Sequence, residues 1–169
     1  VEADGRWYVG PDNGLLSIVA GRAAVSRVWR ISWRPEGLPD SFYGRDLFAP
    51  VAAAIVAGQF PDERLERAVA LQVQFDLAEL PRILYLDHYG NAWTGIRGGL
   101  VDTGTLLRVK GSTLPWRRVF MEAGKGEAFW HVNSSGLVEI AVNRGSAASK
   151  LGLALGDLVS LLEGEAAVH

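Results

Sequence analysis

The second half of the chain consists of short apolar segments that alternate with glycine-containing turns. The segments are residues 83–86, 92–96, 106–109, 128–132, 137–142 and 158–162. Short strands at this spacing are typical of an antiparallel sandwich or barrel. In residues 137–142, Val138, Ile140 and Val142 fall on one face of a strand. Glu139 and Ala141 fall on the other, so the alternation expected of a strand is present.

The first half has the pattern of an α/β unit. Strand-like residues 7–9 and 25–33 flank a glycine- and proline-containing turn at 10–14 and an apolar turn at 15–20. These alternating elements are followed by a single helical segment. The predicted fold class is therefore α/β followed by all-β.

An alanine-rich helix is predicted over residues 47–57. Asp46 suits the N-cap position, and Pro50 is tolerated only because it stands near the first turn. Gly58 stands where a C-terminal glycine belongs.

We interpret residues 1–59 as the C-terminal part of an α/β domain and residues 68–169 as the β domain. Residues 60–67, which contain a proline and several charges, are interpreted as a linker. The chain starts at valine, its only methionine is Met121, and strand-like sequence begins within a few residues. We expect that the beginning of the α/β domain is missing.

Composition excludes several classes of protein. Of the 169 residues, 49% are apolar and 21% are charged, which is typical of a globular chain. The longest apolar stretch, residues 47–58, is interrupted by Pro50 and is shorter than the roughly 18 residues of a membrane helix. No signal-peptide pattern follows Val1. We expect a cytoplasmic protein without a membrane segment.

The same inventory argues against metal and nucleic-acid partners. Cysteine is absent, and the three histidines have no metal-ligand spacing. The net charge is −2, and the densest basic group, Arg27, Arg30 and Arg34, is dispersed among aromatic and aliphatic residues. Neither a metal ion nor a nucleic acid is expected to bind.

Three polar clusters could carry chemistry. Residues 87–94 place a carboxylate, an amide and aromatic rings around a turn, which suits a flat cationic ligand or simply a capped hairpin. Residues 133–136 offer hydroxyl and backbone N–H groups suited to a carboxylate, or an ordinary turn. Residues 41–46 precede a helix, where an anion is favoured, or where Arg45 and Asp46 lie in solvent or in an ion pair.

Four motifs in these regions resemble, in order, the S-adenosylmethionine (SAM)-dependent halogenase and hydroxide adenosyltransferase family. They are residues 10–16 (GPDNGLL), 42–52 (FYGRDLFAPVA), 87–94 (DHYGNAWT) and 133–143 (NSSGLVEIAVN). The resemblance implies an N-terminal α/β domain with a mostly parallel sheet and a C-terminal antiparallel β-barrel. It also implies a homotrimer that binds SAM between the N-domain of one subunit and the C-domain of its neighbour. SAM is then the substrate, and no cofactor is implied.

The resemblance assigns roles to individual residues. Asp87 would hold the methionine amino group, and Ser134 and Ser135 its amino-acid end. Asn91 and the backbone near Arg144 would contact the adenine edge. The remaining substrate contacts implied are Phe120 on the adenine face, with Tyr89 and Trp93 as pocket walls.

The nucleophile's pocket is implied to consist of Ser41, Phe42, Tyr43 and Gly44. Hydroxide-using members of the family typically carry histidine at the position of Tyr43, whereas Tyr43 and Trp93 look more like the halide-using members. Hydroxide-using members are more numerous, so SAM hydrolysis is the preferred function and chlorination the alternative. The family's ribose-binding aspartate and its Asp/Arg pair linked to water activation have no counterpart in this chain.

A function of another class is also open. Residues 142–159 resemble a glycine- and serine-containing stretch of PDZ domains, which bind peptides. The carboxylate-binding loop of those domains does not precede this stretch. A fragment without catalytic activity that only packs a trimer is the third possibility.

Overall fold

The computed structural model describes residues 1–39 and 41–162. They divide into two compact units, with the boundary between Leu77 and Ala78. The boundary lies beyond the segment expected to be a linker. Among these residues, no helix is both long enough and apolar enough to cross a membrane.

The first unit combines short strands with two helices. Its elements are β1 (Glu2–Ala3), β2 (Arg6–Trp7), α1 (Leu15–Arg22), β3 (Ser26–Ile31), α2 (Ala49–Val56) and β4 (Leu65–Ala68). The sheet has the order β2-β1-β3-β4. The α/β character predicted for this region is confirmed.

The strands described in this unit are antiparallel to their neighbours, which corrects the expectation of a mostly parallel sheet. Strands β1 and β2 are joined by Asp4 and Gly5, with φ of 47° and 76°. A two-residue turn with both φ values positive is the tight hairpin turn, and it reverses the chain. Local turn chemistry therefore sets the strand direction here.

Residues 15–20 form a helix and not the apolar turn that was predicted. The first turn of α1 is held by Ser17, whose hydroxyl donates to the carbonyl of Gly14 at 2.6 Å and accepts from the N–H of Phe75 at 2.9 Å. The second of these contacts joins residues far apart in the chain. No local pattern could have indicated it.

The predicted helix start at Asp46 is also wrong. Helical geometry begins with a π-helical turn at Gly44–Phe48, in which the N–H of Ala49 donates to the carbonyl of Gly44. Proline has no N–H, so Pro50 cannot make the usual bond to the carbonyl four residues earlier. The wider turn accommodates this loss, and it places Asp46 inside the helix.

Residues 65–67 of the expected linker form a strand together with Ala68. In β4, Glu66 pairs with Arg30 and Arg67 with Trp29 across to β3. The side chains of Arg30 and Glu66 form an ion pair, and the Arg67 guanidinium lies 4.8 Å from the centre of the Trp29 ring. The charges that made this segment resemble a linker are therefore cross-strand partners.

The second unit contains two antiparallel sheets. Its elements are β5 (Leu80–Leu86), β6 (Ala92–Arg97), β7 (Leu106–Val109), β8 (Ser112–Leu114), β9 (Ala128–Val132), β10 (Leu137–Val142), α3 (Ala147–Leu151) and β11 (Val159–Leu162). The sheet orders are β5-β6-β10-β9 and β11-β7-β8. All of the predicted apolar segments become strands, whereas β8 and α3 were not predicted. The core includes Trp130, Ile140 and Leu107, which are fully buried.

The described strands do not close into one hydrogen-bonded barrel. The two sheets share one apolar core, but the backbone pairing between their described strands consists of isolated bridges between Arg82 and Leu158 and between Trp116 and Trp130. Pro81 and Pro115 stand next to these bridges and cannot donate a ladder hydrogen bond. The antiparallel prediction is confirmed, and the continuous barrel is not.

Candidate functional site

One face of the four-stranded sheet carries polar and aromatic side chains in a row across the strands. Tyr85 of β5 pairs with Trp93 of β6, Trp93 with Glu139 of β10, and Glu139 with His131 of β9. Directly opposite residues of antiparallel strands point to the same face. The opposite face, which holds Ile140, belongs to the core.

Glu139 lies at the centre of this row and is only 5% exposed. One carboxylate oxygen lies 3.2 Å from Nε2 of His131, and the other accepts a hydrogen bond from Nδ2 of Asn133 at 3.0 Å. A carboxylate is rarely buried without such partners. Both of its oxygens are therefore engaged by side chains of the neighbouring strand and turn.

The aromatic part of the face centres on Phe120. Its ring lies edge-on to Phe129, with centroids 5.1 Å apart, and to His131, at 5.4 Å. Trp93 packs in the same manner on Tyr85, at 5.4 Å. Nε1 of Trp93 is buried and has no hydrogen-bond partner among the described residues. The face thus offers aromatic surface and one unsatisfied donor.

The turn between β9 and β10 presents Ser134 and Ser135. Both serines are exposed. Asn133 forms this turn, because its Oδ1 accepts from the backbone N–H groups of Ser135 and Leu137, each at 3.0 Å. Gly136 has a φ of 75°, which glycine adopts without strain. The hydroxyl groups are thereby displayed at the end of the sheet.

The turn between β5 and β6 contains Asp87, Tyr89 and Asn91. The Asp87 carboxylate accepts from the backbone N–H of Tyr89 at 2.9 Å, and from the backbone and side-chain amide of Asn91 at 2.8 and 3.0 Å. The hairpin-capping interpretation of Asp87 and Asn91 therefore holds in this structure. Tyr89 is 69% exposed, with its ring against His88.

Arg144 belongs to a turn at the same end of the sheet as Asn91. Arg144 follows β10 with a φ of 58° and is exposed. The carbonyl of Gly90 accepts from the N–H of Ala148 at 2.8 Å, and a side chain at Gly90 would lie 2.0 Å from the hydroxyl oxygen of Ser146. Close packing therefore joins these two turns, which were expected at the adenine edge.

The two turns expected at the methionine end of the substrate lie at opposite ends of the sheet. Ile140 of β10 pairs with Ala92, next to the turn of Asp87, whereas Leu137, next to the serine turn, pairs with Arg97. The segment of β10 from Leu137 to Ile140 spans about 10 Å, at about 3.4 Å per residue. The assignment of Asp87 to the methionine amino group, and of Ser134 and Ser135 to the amino-acid end, stays a prediction; within one chain the two turns are separated.

The residues expected around the nucleophile lie in the first unit, at the start of the helical segment. Ser41, Phe42 and Gly44 are exposed, and Tyr43 is half-buried. The guanidinium of Arg34 lies 5.6 Å from the centre of the Tyr43 ring and donates to its hydroxyl at 3.4 Å. No local pattern identifies Arg34 as a partner of Tyr43.

Arg45 and Asp46 form a two-pronged ion pair with N–O distances of 2.6 and 2.8 Å. The hydrogen bonds from Arg45 lower the pKa of the Asp46 carboxyl group. Of the interpretations left open for these two residues, the ion pair is the one present. A cleft of about 620 Å³ in the same unit is lined by Tyr43, Arg34 and Asp12, among others.

The PDZ-like stretch has a structural explanation. The Ser146 hydroxyl accepts from the N–H of Ser149 at 3.1 Å and caps α3. Asp157 accepts from the N–H of Ala154 at 2.7 Å and pairs with Lys110 at 3.0 Å, and the backbone bond from Ala154 is the main cause of the lowered pKa of Asp157. The resemblance therefore reflects a capped helix and a closed turn.

Glu139 and His131 are functional candidates that the motif pattern did not reveal. The alternation of β10 placed Glu139 away from the core, where a charged residue usually meets water. Its burial follows from packing by Trp93 and His131 on adjacent strands. A single sequence signal was present, namely a carboxylate in the middle of an otherwise apolar strand.

The chain matches two domains of one family along its length. The SAM hydroxide adenosyltransferase N-terminal domain matches residues 1–65, and the C-terminal domain matches residues 81–160. The (R)-S-adenosyl-L-methionine hydrolase of Thermus thermophilus is 37% identical, with 96% of this chain and 69% of the relative covered. The enzyme of the same name from Salinispora tropica is 35% identical, with 92% of this chain and 65% of the relative covered.

Solved structures share the fold. A conserved protein from Thermotoga maritima has a TM-score of 0.68 and 29% identity, over 90% of this chain and 65% of that protein. A conserved hypothetical protein from Thermus thermophilus has a TM-score of 0.62 and 34% identity, over 92% of this chain and 69% of that protein. The chain thus spans about two thirds of the length of these relatives, 65 to 69%.

Proposed function

Since this chain belongs to the SAM hydroxide adenosyltransferase family, as its four motifs predicted, we propose that the protein hydrolyses SAM to adenosine and L-methionine. Curated relatives over most of its length carry the name of that activity. The side chains of the four-stranded sheet and of the helical segment in the first unit support the proposal for this chain.

The observation that carries the proposal is the different chemistry at the two ends of one sheet face. At one end, the Asn91 amide and the backbone around Arg144 suit the hydrogen-bonding edge of adenine. At the other end, the serine turn suits the charged amino-acid group. Phe120 and Trp93 lie between them and provide aromatic surface for the purine and the sulfonium. SAM is an elongated molecule with adenine and amino acid at its two ends.

Asp87 takes a revised part in this proposal. Its carboxylate holds the Asn91 backbone and amide, and so orients the group that faces adenine. The amino group of methionine is left to the serine turn at the other end. Tyr89 stays an exposed wall that a substrate can cover.

The reaction is a substitution at C5′. The water oxygen forms a bond to C5′ while the C5′–S bond breaks, the electron pair goes to sulfur, and the proton of the attacking water passes to a base or to solvent. A sulfonium leaves readily, so the protein mainly aligns the nucleophile and excludes other water. The pocket of Ser41, Phe42, Tyr43 and Gly44 would hold the nucleophile, with Tyr43 as a wall or hydrogen-bond donor beside Arg34.

Chlorination is the second candidate, and the identity of Tyr43 and Trp93 favours it. An aromatic pocket beside a helix N-terminus can replace part of the hydration shell of a halide. We further propose the family's homotrimer, in which a neighbouring copy supplies the nucleophile pocket to the sheet face, and closure of the two β sheets into a barrel. A cytoplasmic location stays a prediction.

Product analysis tests the proposal. The full-length protein is incubated with SAM, with and without chloride, and adenosine is separated from 5′-chloro-5′-deoxyadenosine. Adenosine and methionine in equal amounts, independent of chloride, are expected. Chloride-dependent formation of the chlorinated nucleoside would establish the second candidate, and no consumption of SAM under either condition would contradict both.

A further inference from the structure

The buried carboxylate of Glu139 connects the serine turn at one end of the sheet face with the aromatic surface in the middle of that face. It is bonded to Asn133 on one side and lies at hydrogen-bond distance from His131 on the other. A buried carboxylate in the middle of an apolar strand costs stability unless each oxygen is satisfied. The position therefore requires an explanation beyond packing.

The link through Asn133 reaches the serine turn. Oδ1 of Asn133 already accepts from Ser135 and Leu137, and Nδ2 donates to Glu139. The amide is therefore held at both ends, with the oxygen towards the turn and the nitrogen towards the carboxylate. Glu139 thus fixes which way the amide points, and the direction of the amide fixes the shape of the turn.

The link through His131 reaches the aromatic surface. The imidazole lies between the Glu139 carboxylate and the Phe120 ring, with ring centroids of His131 and Phe120 5.4 Å apart. The His131 side chain is 14% exposed and that of Glu139 6% exposed, so neither can turn freely. Phe120 is 39% exposed, so its ring has surface left for a ligand.

We infer that Glu139 is a positioning residue that sets both ends of the SAM site at once. Through Asn133 it holds the serine turn that receives the amino acid, and through His131 it holds the ring of Phe120 against which adenine lies. This inference rests on the proposed function. One carboxylate then makes the two halves of the site form together, so that loss of Glu139 weakens the binding of both halves of SAM.

The two products, used as separate ligands, report on the two ends. Binding of adenosine and of L-methionine to the full-length protein is measured by equilibrium dialysis. Glu139→Leu keeps the approximate side-chain volume and removes both contacts. We expect it to lower the affinity for each ligand by about tenfold or more, which corresponds to the loss of one charged hydrogen bond. In Glu139→Gln, the amide oxygen accepts from Asn133 and its NH₂ group can donate to His131, so both affinities should stay within about threefold.

Two variants separate the links. Asn133→Ala should weaken methionine binding and leave adenosine binding unchanged, and His131→Phe should do the reverse. Glu127→Leu is the matched control, because the Glu127 carboxylate also has a side-chain partner, Arg117 at 2.6 Å, but touches neither link. Both affinities should be unchanged in Glu127→Leu. If Glu139→Leu does not fold, the single-link variants Asn133→Ala and His131→Phe still test whether each link supports its own ligand.

Steady-state kinetics distinguishes positioning from a purely structural role. Glu139→Leu should raise the KM for SAM more than about tenfold while kcat changes by less than about threefold. A structural role would instead lower kcat through the amount of folded enzyme and leave KM unchanged. Unchanged product affinities in folded Glu139→Leu, or equal losses of both ligands in either single-link variant, would overturn the inference. A native protein that binds neither product would overturn the proposed function itself.

Discussion

The turns at the two ends of the sheet have the same construction and different connections. Asp87 and Asn133 each begin a hairpin turn, and each accepts from backbone N–H groups two and four residues later. In each turn a glycine follows three residues after the acceptor, with φ of 83° at Gly90 and 75° at Gly136. The backbone closes both turns in the same pattern.

The difference lies in the second polar atom of the first residue. In the turn of Asp87, the second oxygen is satisfied by Asn91, so the side-chain bonds of Asp87 stay within the turn. In the turn of Asn133, Nδ2 reaches the buried Glu139. One turn is therefore independent of the sheet, and the other depends on it. Identical local geometry can have different functional consequences.

The largest effect is expected when the connected turn is given the residue of the independent one. Asn133→Asp would place two carboxylates in contact at a largely buried site, which should lower stability by about 2–3 kcal/mol at pH 8. Adjacent carboxylates raise the pKa of one member of the pair. A group with a raised folded-state pKa contributes less stability as pH rises, so the variant should recover part of the loss at pH 5.

Thermal unfolding of Asn133→Asp and native protein at pH 5 and pH 8 measures this effect. The native protein is the control, because asparagine has the same length as aspartate and differs from it in charge. A loss of equal size at both pH values would contradict contact between the two carboxyl groups.

The reciprocal change is Asp87→Asn. Its Oδ1 still accepts from the backbone, but its NH₂ group faces the amide of Asn91, so the orientation of Asn91 is lost. Adenosine affinity should fall by about tenfold, the cost of about one hydrogen bond, and the melting temperature should change little. Methionine affinity should be unchanged. A loss of methionine affinity alone would restore Asp87 as the anchor of the amino group.

A change outside both turns separates binding from chemistry. Tyr43→Phe removes the phenol hydroxyl that Arg34 contacts and leaves the ring in place. We expect unchanged affinities for both products and a loss of less than about tenfold in the rate of adenosine formation, since a phenol is a weak base for water. A loss of about a thousandfold would instead make Tyr43 a proton-transfer residue.

The smallest effect is expected at Asp157, far along the chain from both turns. The backbone N–H of Ala154 and the ammonium of Lys110 lower the pKa of Asp157 below its ordinary 3.8. A carboxyl group with a lowered pKa adds stability above its unfolded-state pKa, and that stability is lost as pH falls through the folded-state value. The stability of Asp157→Asn should therefore depend less on pH. Its free energy of unfolding should change less between pH 6 and pH 3 than that of the native protein.

Acid unfolding followed by circular dichroism measures this difference. Both product affinities at pH 7 should be unchanged in Asp157→Asn. An acid transition identical to that of the native protein would contradict the contribution of the bonds from Ala154 and Lys110.

The sequence alone determined the elements whose signals are local. Strands β7, β9 and β10 begin and end where the apolar segments do, because a short apolar run between turn residues needs no distant partner to be recognised. The capped turn of Asp87 and Asn91 followed from side chains that bond their own backbone. The family likewise followed from four local motifs in order.

Features that depend on pairing between distant residues become visible only in the folded chain. Strand β4 became a strand because β3 offered partners for its charges, and Glu139 became buried because Trp93 and His131 pack beside it. The separation of Asp87 from the serine turn follows from strand direction and register, which motifs do not encode. Hydrogen bonds within a turn are set by adjacent residues, whereas burial and register are set by whichever strand lies alongside.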